Sequence, residues 1–290
     1  MQGQNIGNQF SDFLKSGSMM SVIFIINVAI WLLMLLFPLV DYLFALPVGT
    51  SVNGWYNLFA LSSDWSIMLH RPWTLFTSMF IHGSFWHILF NMVTLYFSGI
   101  MFYRFLGSRR FGWVYFLGGL LGGLLYLFVY NIFPVGQVHT SRLRGASAAV
   151  LAVLVAVTAY VPNQEVYLWF VRAFTIKLKW LAIALVIIDL LSIPASNAGG
   201  HIAHLGGALF GWLFVVAMRR LQNKPKQRQN SGTRRNQAPR NRNGRPLSDD
   251  EYNRRRAEEQ RRVDEILDKI SRSGYNNLTK EEKEFLFRFK

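Results

Sequence analysis

The chain has 290 residues, 51% hydrophobic and 15% aromatic, with only 16% charged. Several apolar runs approach or exceed bilayer length, which excludes an ordinary soluble domain and predicts a polytopic membrane protein. Cysteine is absent, which excludes disulfides, thiolate catalysis and Cys-ligated metals together. The net charge of +15 is concentrated from Arg219 onward, where 21 of the 31 Lys and Arg lie. Such a tail beside membrane segments predicts the positive-inside bias of a cytoplasmic face. Nucleic acid is a weaker reading of that charge and is not expected as a partner.

Residues 1–18 are polar and are expected to form a cytosolic N-terminal segment. A first span is predicted from Met19 to Val40. Between Asp41 and Trp73 the chain is neither a span nor a polar loop. Its Trp55, Tyr56, Phe59, Leu61, Trp65, Met68 and Leu69 predict short amphipathic helices in the membrane interface. The second span is expected from Thr77 to Phe105, carrying His82, His87 and Asn91 and ending in Arg104, Arg109 and Arg110. The third, Phe111 to Phe133, holds Gly118, Gly119, Gly122 and Gly123 in two overlapping GxxxG patterns, read as packing positions.

A fourth apolar stretch, Ser147 to Val161, is too short to cross roughly 30 Å of hydrocarbon at about 1.5 Å per residue. Such a helix can begin below the surface if the preceding loop dips into protein. Ser147 is therefore expected inside the membrane, reached by water from one side. Spans five and six are predicted at Trp180 to Ile193 and Gly199 to Met218. Basic residues after spans two, four and six place both termini on one side and the Ser147 end on the other. Residues 19–220 thus read as a six-span helical bundle, and the fold class as all-α.

Residues 221–247 carry eight basic residues and no acid, and read as a disordered linker with anionic lipid as its expected contact. Residues 248–290 predict a small soluble cytosolic helical hairpin. Ser248 would cap a helix bearing Val263, Ile266, Leu267 and Ile270 at helical spacing. Thr279 and Glu282 form a capping box for a second helix with Phe285, Leu286 and Phe289.

Polar groups inside apolar spans are expensive and mark function. Four matter here: His87, Asn91, Ser147 and His204. His87 and Asn91 are four apart and share a helix face, where both can donate toward one point. His204, Gly207 and Gly211 share a face of span six, opposite the small residues Ala148, Ala152 and Ala156 of span four. A glycine–alanine contact lets two backbones come close, near enough to bring an imidazole to Ser147. Each feature also has a plainer reading: Ser147 as a helix cap, His204 as a packing histidine, Asn91 as an interhelix hydrogen bond. Together they fit a weak nucleophile beside the base it needs.

On these residues the chain resembles the rhomboid family of intramembrane serine proteases. The carriers are His82-Gly-Ser-Phe-Trp-His87-Ile-Leu-Phe-Asn91, Gly145-Ala-Ser147-Ala, and His204-Leu-Gly-Gly207-Ala-Leu-Phe-Gly211, in family order over residues 19–220. The resemblance implies a Ser–His dyad without a third acid: Ser147 as nucleophile and His204 as general base. It implies an oxyanion site from His87, Asn91 and the Ser147 backbone N–H. His204 is preferred to His201 because the family places glycines three and seven residues after the catalytic histidine, here Gly207 and Gly211. His201 then lines the cavity, and His82 supports His87 or a water. No metal or cofactor is implied. The substrates would be transmembrane segments of other proteins, and the location the inner (plasma) membrane of a bacterium, with both termini cytoplasmic.

Three departures from the family pattern stand out. Ala148 replaces a glycine after the serine. Leu151 stands where an aromatic ring often packs on the catalytic imidazole. Trp73 is followed by Thr74 rather than arginine, with Arg71 two residues earlier. A non-catalytic rhomboid-like protein that binds transmembrane clients is the alternative. A metalloprotease would need H-E-x-x-H, and His201-Ile-Ala-His204 has no glutamate. An aspartyl mechanism needs two membrane aspartates, and Asp189 stands alone.

Overall fold

The computed structural model describes residues 6–134, 141–167, 175–194, 197–222, 249–274 and 277–288. The chain divides into two compact units, Met1–Pro225 and Lys226–Lys290. The first unit is a membrane bundle. The expected polar N-terminal segment contains a helix, α1 (Ile6–Lys15), whose Phe10 and Phe13 meet Phe24 and Tyr96 edge-on. The first span is divided into α2 (Met19–Met34) and α3 (Phe37–Leu43). Pro38 explains the break, because its ring blocks the preceding turn and it has no N–H to donate.

Three short helices follow: α4 (Thr50–Phe59), α5 (Trp65–His70) and α6 (Thr74–Thr77). The last carbonyls of a helix have no partner within it, and in α4 side chains from downstream supply them. Arg71 Nη1 donates to the Asn57 carbonyl, Trp73 Nε1 to Leu58 at 2.8 Å, and Thr77 Oγ1 to Phe59 at 2.8 Å. Arg71 and Trp73 therefore act as a pair although Thr74 stands in the expected arginine position. β1 (Leu61–Ser62) pairs antiparallel with β2 (Arg142–Leu143).

The second span does not begin at Thr77. A 3-10 turn at Ser78–Phe80, irregular chain at Ile81 and His82, and a bend at Gly83–Ser84 precede α7 (Phe85–Leu106). The cause is local: Ser84 takes an extended conformation and its hydroxyl accepts from the His87 N–H, capping α7. His82 consequently lies just before the bend, outside the helix that carries His87 and Asn91.

α8 (Ser108–Ile132), α9 (Ser147–Tyr160), α10 (Leu178–Ser192) and α11 (Ala198–Gln222) complete the bundle. Among the described residues, Met19–Leu43, α7, α8 and α11 are long and apolar enough to cross a membrane; α9 and α10 are shorter, at 14 and 15 residues. α9 spans about 21 Å at 1.5 Å per residue. It is the centre of the core, packed against α7, α8 and α11, with Ala149, Ala152, Val153, Ala156 and Val157 wholly buried. A Cβ at Gly207 or Gly211 of α11 would collide with the carbonyl oxygen of Ala148 or Ala152. That close approach fixes the height of α11 beside α9. Between α9 and α10, β3 (Glu165–Tyr167) and β4 (Thr175–Lys177) pair antiparallel.

The second unit contains α12 (Asp249–Ser273) and α13 (Lys280–Arg288). Val263, Ile266 and Leu278 are buried, while Leu267 is exposed. The Thr279 N–H donates to Glu282 Oε2 at 2.7 Å, and the Glu282 N–H donates to Thr279 Oγ1 at 3.3 Å, the reciprocal geometry of a capping box. Lys269 Nζ lies 2.8 and 3.0 Å from the two Glu282 oxygens. Ser248, Phe289 and nearly all of the expected linker, from residue 223, lie outside the described residues.

Candidate active site

Ser147 is the first residue of α9, and Ala146, not Ser147, occupies the capping position. Its hydroxyl is therefore not engaged in capping; His204 Nε2 of α11 lies 2.6 Å from Ser147 Oγ. The turn leading into Ser147 is held by two contacts and an unusual backbone angle. Gly145 N–H donates to the Ser78 carbonyl at 2.8 Å, Ala146 N–H makes a long 3.4 Å contact with His82 Nε2, and Gly145 adopts φ +121°. That φ favours glycine, and the space does too. A Cβ there would lie 2.6 Å from His87 Cε1 and Nε2, and 3.7 Å from Ser147 Oγ.

These clearances put the His87 ring, on the first turn of α7, next to the serine. His82 stacks edge-on against His87 with centroids 5.0 Å apart. His82 therefore braces both the His87 ring and the turn before Ser147. Asn91 is buried one turn further along α7, its Nδ2 donating to the His87 carbonyl at 2.8 Å. An amide has two N–H donors, so one remains for the cavity. The first-turn N–H groups of α9, which lack partners within the helix, add further donors and the positive end of a helix dipole.

These groups line one cavity of about 410 Å³. Its apolar wall comes from Trp86 and Phe90 of α7, Val150 and Leu154 of α9, and Leu185 and Ile188 of α10. Leu151 also lines it, and the ring that faces His204 is His201, edge-on at 5.9 Å, rather than an aromatic at position 151. Arg144 reaches the cavity with its guanidinium over the Tyr56 ring, 4.4 Å from the centroid.

One member was missed in the sequence. Asp189, buried in α10, places Oδ1 2.7 Å from His204 Nδ1 and 2.8 Å from His201 Nδ1. The implied arrangement without an acid is therefore incomplete: a carboxylate stands behind the imidazole. The available signal was the charge itself, an aspartate in the apolar run Leu178–Ser192. His201, expected to line the cavity, instead bonds to this carboxylate. Asp189, His201 and His204 offer ligand atoms all within 4.8 Å of one another, a spacing that a metal ion would also tolerate.

The Rhomboid domain family matches residues 69–221, more than half of the chain. The chain belongs to the rhomboid family. A second family, of unknown function (DUF6576), matches residues 248–289. The rhomboid is 32% identical over 143 residues to the human "Presenilin-associated rhomboid-like protein, mitochondrial", covering 48% of this chain and 36% of the relative. It is 33% identical over 165 residues to "RHOMBOID-like protein 12, mitochondrial" of Arabidopsis thaliana, covering 52% and 48%. "RHOMBOID-like protein 1" of the same plant is 29% identical over 162 residues, covering 55% and 38%. The rhomboid thus spans between about a third and a half of the length of these relatives.

Two of these names place the relatives in mitochondria, and that finding overturns the bacterial plasma membrane and cytoplasmic termini expected from the sequence. Basic residues after alternate spans indicate which ends share a side; they do not say in which membrane those sides lie.

Proposed function

We propose that this rhomboid is an intramembrane serine endopeptidase that cleaves transmembrane segments of other proteins. The observation that carries the reading is the 2.6 Å approach of His204 Nε2 to Ser147 Oγ at the start of a short, buried helix. Ser147 Oγ attacks the scissile carbonyl as His204 Nε2 takes its proton. The tetrahedral oxyanion is stabilised by the Ser147 backbone N–H, Asn91 Nδ2 and the His87 ring. His204 returns the proton to the leaving amine as the C–N bond breaks. Water then hydrolyses the acyl-enzyme by the same proton route in reverse order.

The apolar walls from α7, α9 and α10 suit an unwound hydrophobic segment, and the lipid bilayer is the medium from which it comes. The relatives' names support a mitochondrial membrane as the residence. Cleavage of a transmembrane-segment substrate in proteoliposomes tests the reading. Ser147→Ala is expected to lower turnover by at least about a thousandfold. Unchanged cleavage by that variant would refute the nucleophile, and retained substrate binding without cleavage in the wild type would favour a client-binding protein.

A further inference from the structure

We propose that Asp189 is a positioning residue that fixes the tautomer of His204 and stabilises its charged form, with His201 holding the same carboxylate in place. This rests on Ser147 and His204 acting as proposed above. The two Nδ1 atoms converge on a single oxygen, Asp189 Oδ1, at 2.7 and 2.8 Å. An ionised carboxylate only accepts hydrogen bonds, so both Nδ1 atoms carry the hydrogen. The lone pair of His204 is thereby placed on Nε2, facing Ser147 Oγ at 2.6 Å. The opposite tautomer would point an N–H at the serine and leave nothing to receive its proton.

Burial decides what His201 is for. Asp189 is 7% exposed, and a carboxylate so buried is unfavourable unless it is compensated. A single histidine, neutral before the reaction, compensates it poorly. His201, one turn before His204 on α11, supplies a second donor to the same oxygen. It leaves His204 Nε2 free for the serine. When Ser147 loses its proton, that proton resides on His204 Nε2; Asp189 takes none and remains the counter-charge until the leaving amine receives it. The cluster's metal-like spacing is met by these two N–H hydrogen bonds.

The experiment uses the full chain in proteoliposomes, with a fluorophosphonate probe that labels the serine. Asp189→Asn keeps the shape and an acceptor oxygen but loses the charge. Its maximal inactivation rate is expected to fall by about a thousand- to ten-thousandfold, with the probe's half-saturating concentration changed by less than about threefold. His201→Ala is expected to lose less than Asp189→Asn. Independently of any variant, 15N spectra of histidine-labelled wild type should show His204 protonated at Nδ1 and bare at Nε2. EDTA should leave labelling unchanged.

The inference is overturned if Asp189→Asn labels within about threefold of wild type, or if His204 carries its proton on Nε2. It is also overturned if His201→Ala costs as much as His204→Ala, or if EDTA abolishes labelling. Ser147→Ala separates the two readings. If that variant still labels fully, the nucleophile assignment itself fails. If it is inert while Asp189→Asn is fully active, only the role of Asp189 fails.

Discussion

Gly145 is the residue on which the geometry around Ser147 converges. Its backbone at φ +121° and its contact with the His87 ring leave no room for a Cβ. Gly145→Ala is therefore expected to push His87 out of the cavity. If His87 is an oxyanion donor, turnover of the folded variant falls by about a hundredfold or more, beyond the loss of about 1–3 kcal/mol that the strained backbone causes in detergent unfolding. A measured turnover within about threefold would remove His87 from that role. At this scale Ser147, His204, His87 and Asn91 were legible, because each is a polar group at helical spacing in an otherwise apolar run. Asp189 was visible as a charge but not as a partner: its meaning depends on α10 packing beside α11, which no local pattern encodes. His82 was assigned to the wrong element for a related reason. The apolar run from Thr77 continues across it, and only the Ser84 cap shows where the helix starts.

The decisive element is the contact of α9 with α11. Ala148 and Ala152 present main-chain oxygens to Gly207 and Gly211 with no space between. Gly207→Ala is expected to force the helices apart and to destabilise the fold by about 1–3 kcal/mol, measured by denaturant unfolding in mild detergent. Because His204 lies one turn from Gly207, probe labelling should fall further than stability alone explains. Labelling equal to wild type in the folded variant would show that the seam does not set the distance between His204 and Ser147. The seam itself was readable from spacing. The break of the first span at Pro38 could have been read, since proline interrupts a helix, yet hydropathy alone runs straight through it.

At the scale of the whole molecule the two units obey different chemistry. In the second, the hydrogen bond and charge of Lys269, together with the Thr279 N–H, hold Glu282 below the ordinary glutamate value of 4.5. The folded form thus favours ionised Glu282. Its contribution is complete above the ordinary value and is lost as pH falls through the lower folded one. Helix content of the 226–290 unit, followed by circular dichroism, should decline as pH drops below 4.5. Glu282→Gln should show a shallower decline; an identical curve would discount the pair. The capping box behind this was plain in the sequence, whereas the Lys269 partner was not, because it comes from the other helix.

The chain entering Ser147 is stitched to the segment from Leu61 to Ser78. Besides the β1–β2 pairing, Ser63 N–H donates to the Ser141 carbonyl at 2.9 Å and Gly145 N–H to that of Ser78 at 2.8 Å. The depth of the serine is thus measured out by a fixed count of residues upstream. One residue added or removed at 44–48, where Phe44 and Val48 are exposed, should be absorbed with activity retained. The same edit between Ser63 and Ser78 should shift the frame of this scaffold and silence the serine without altering any group that touches it.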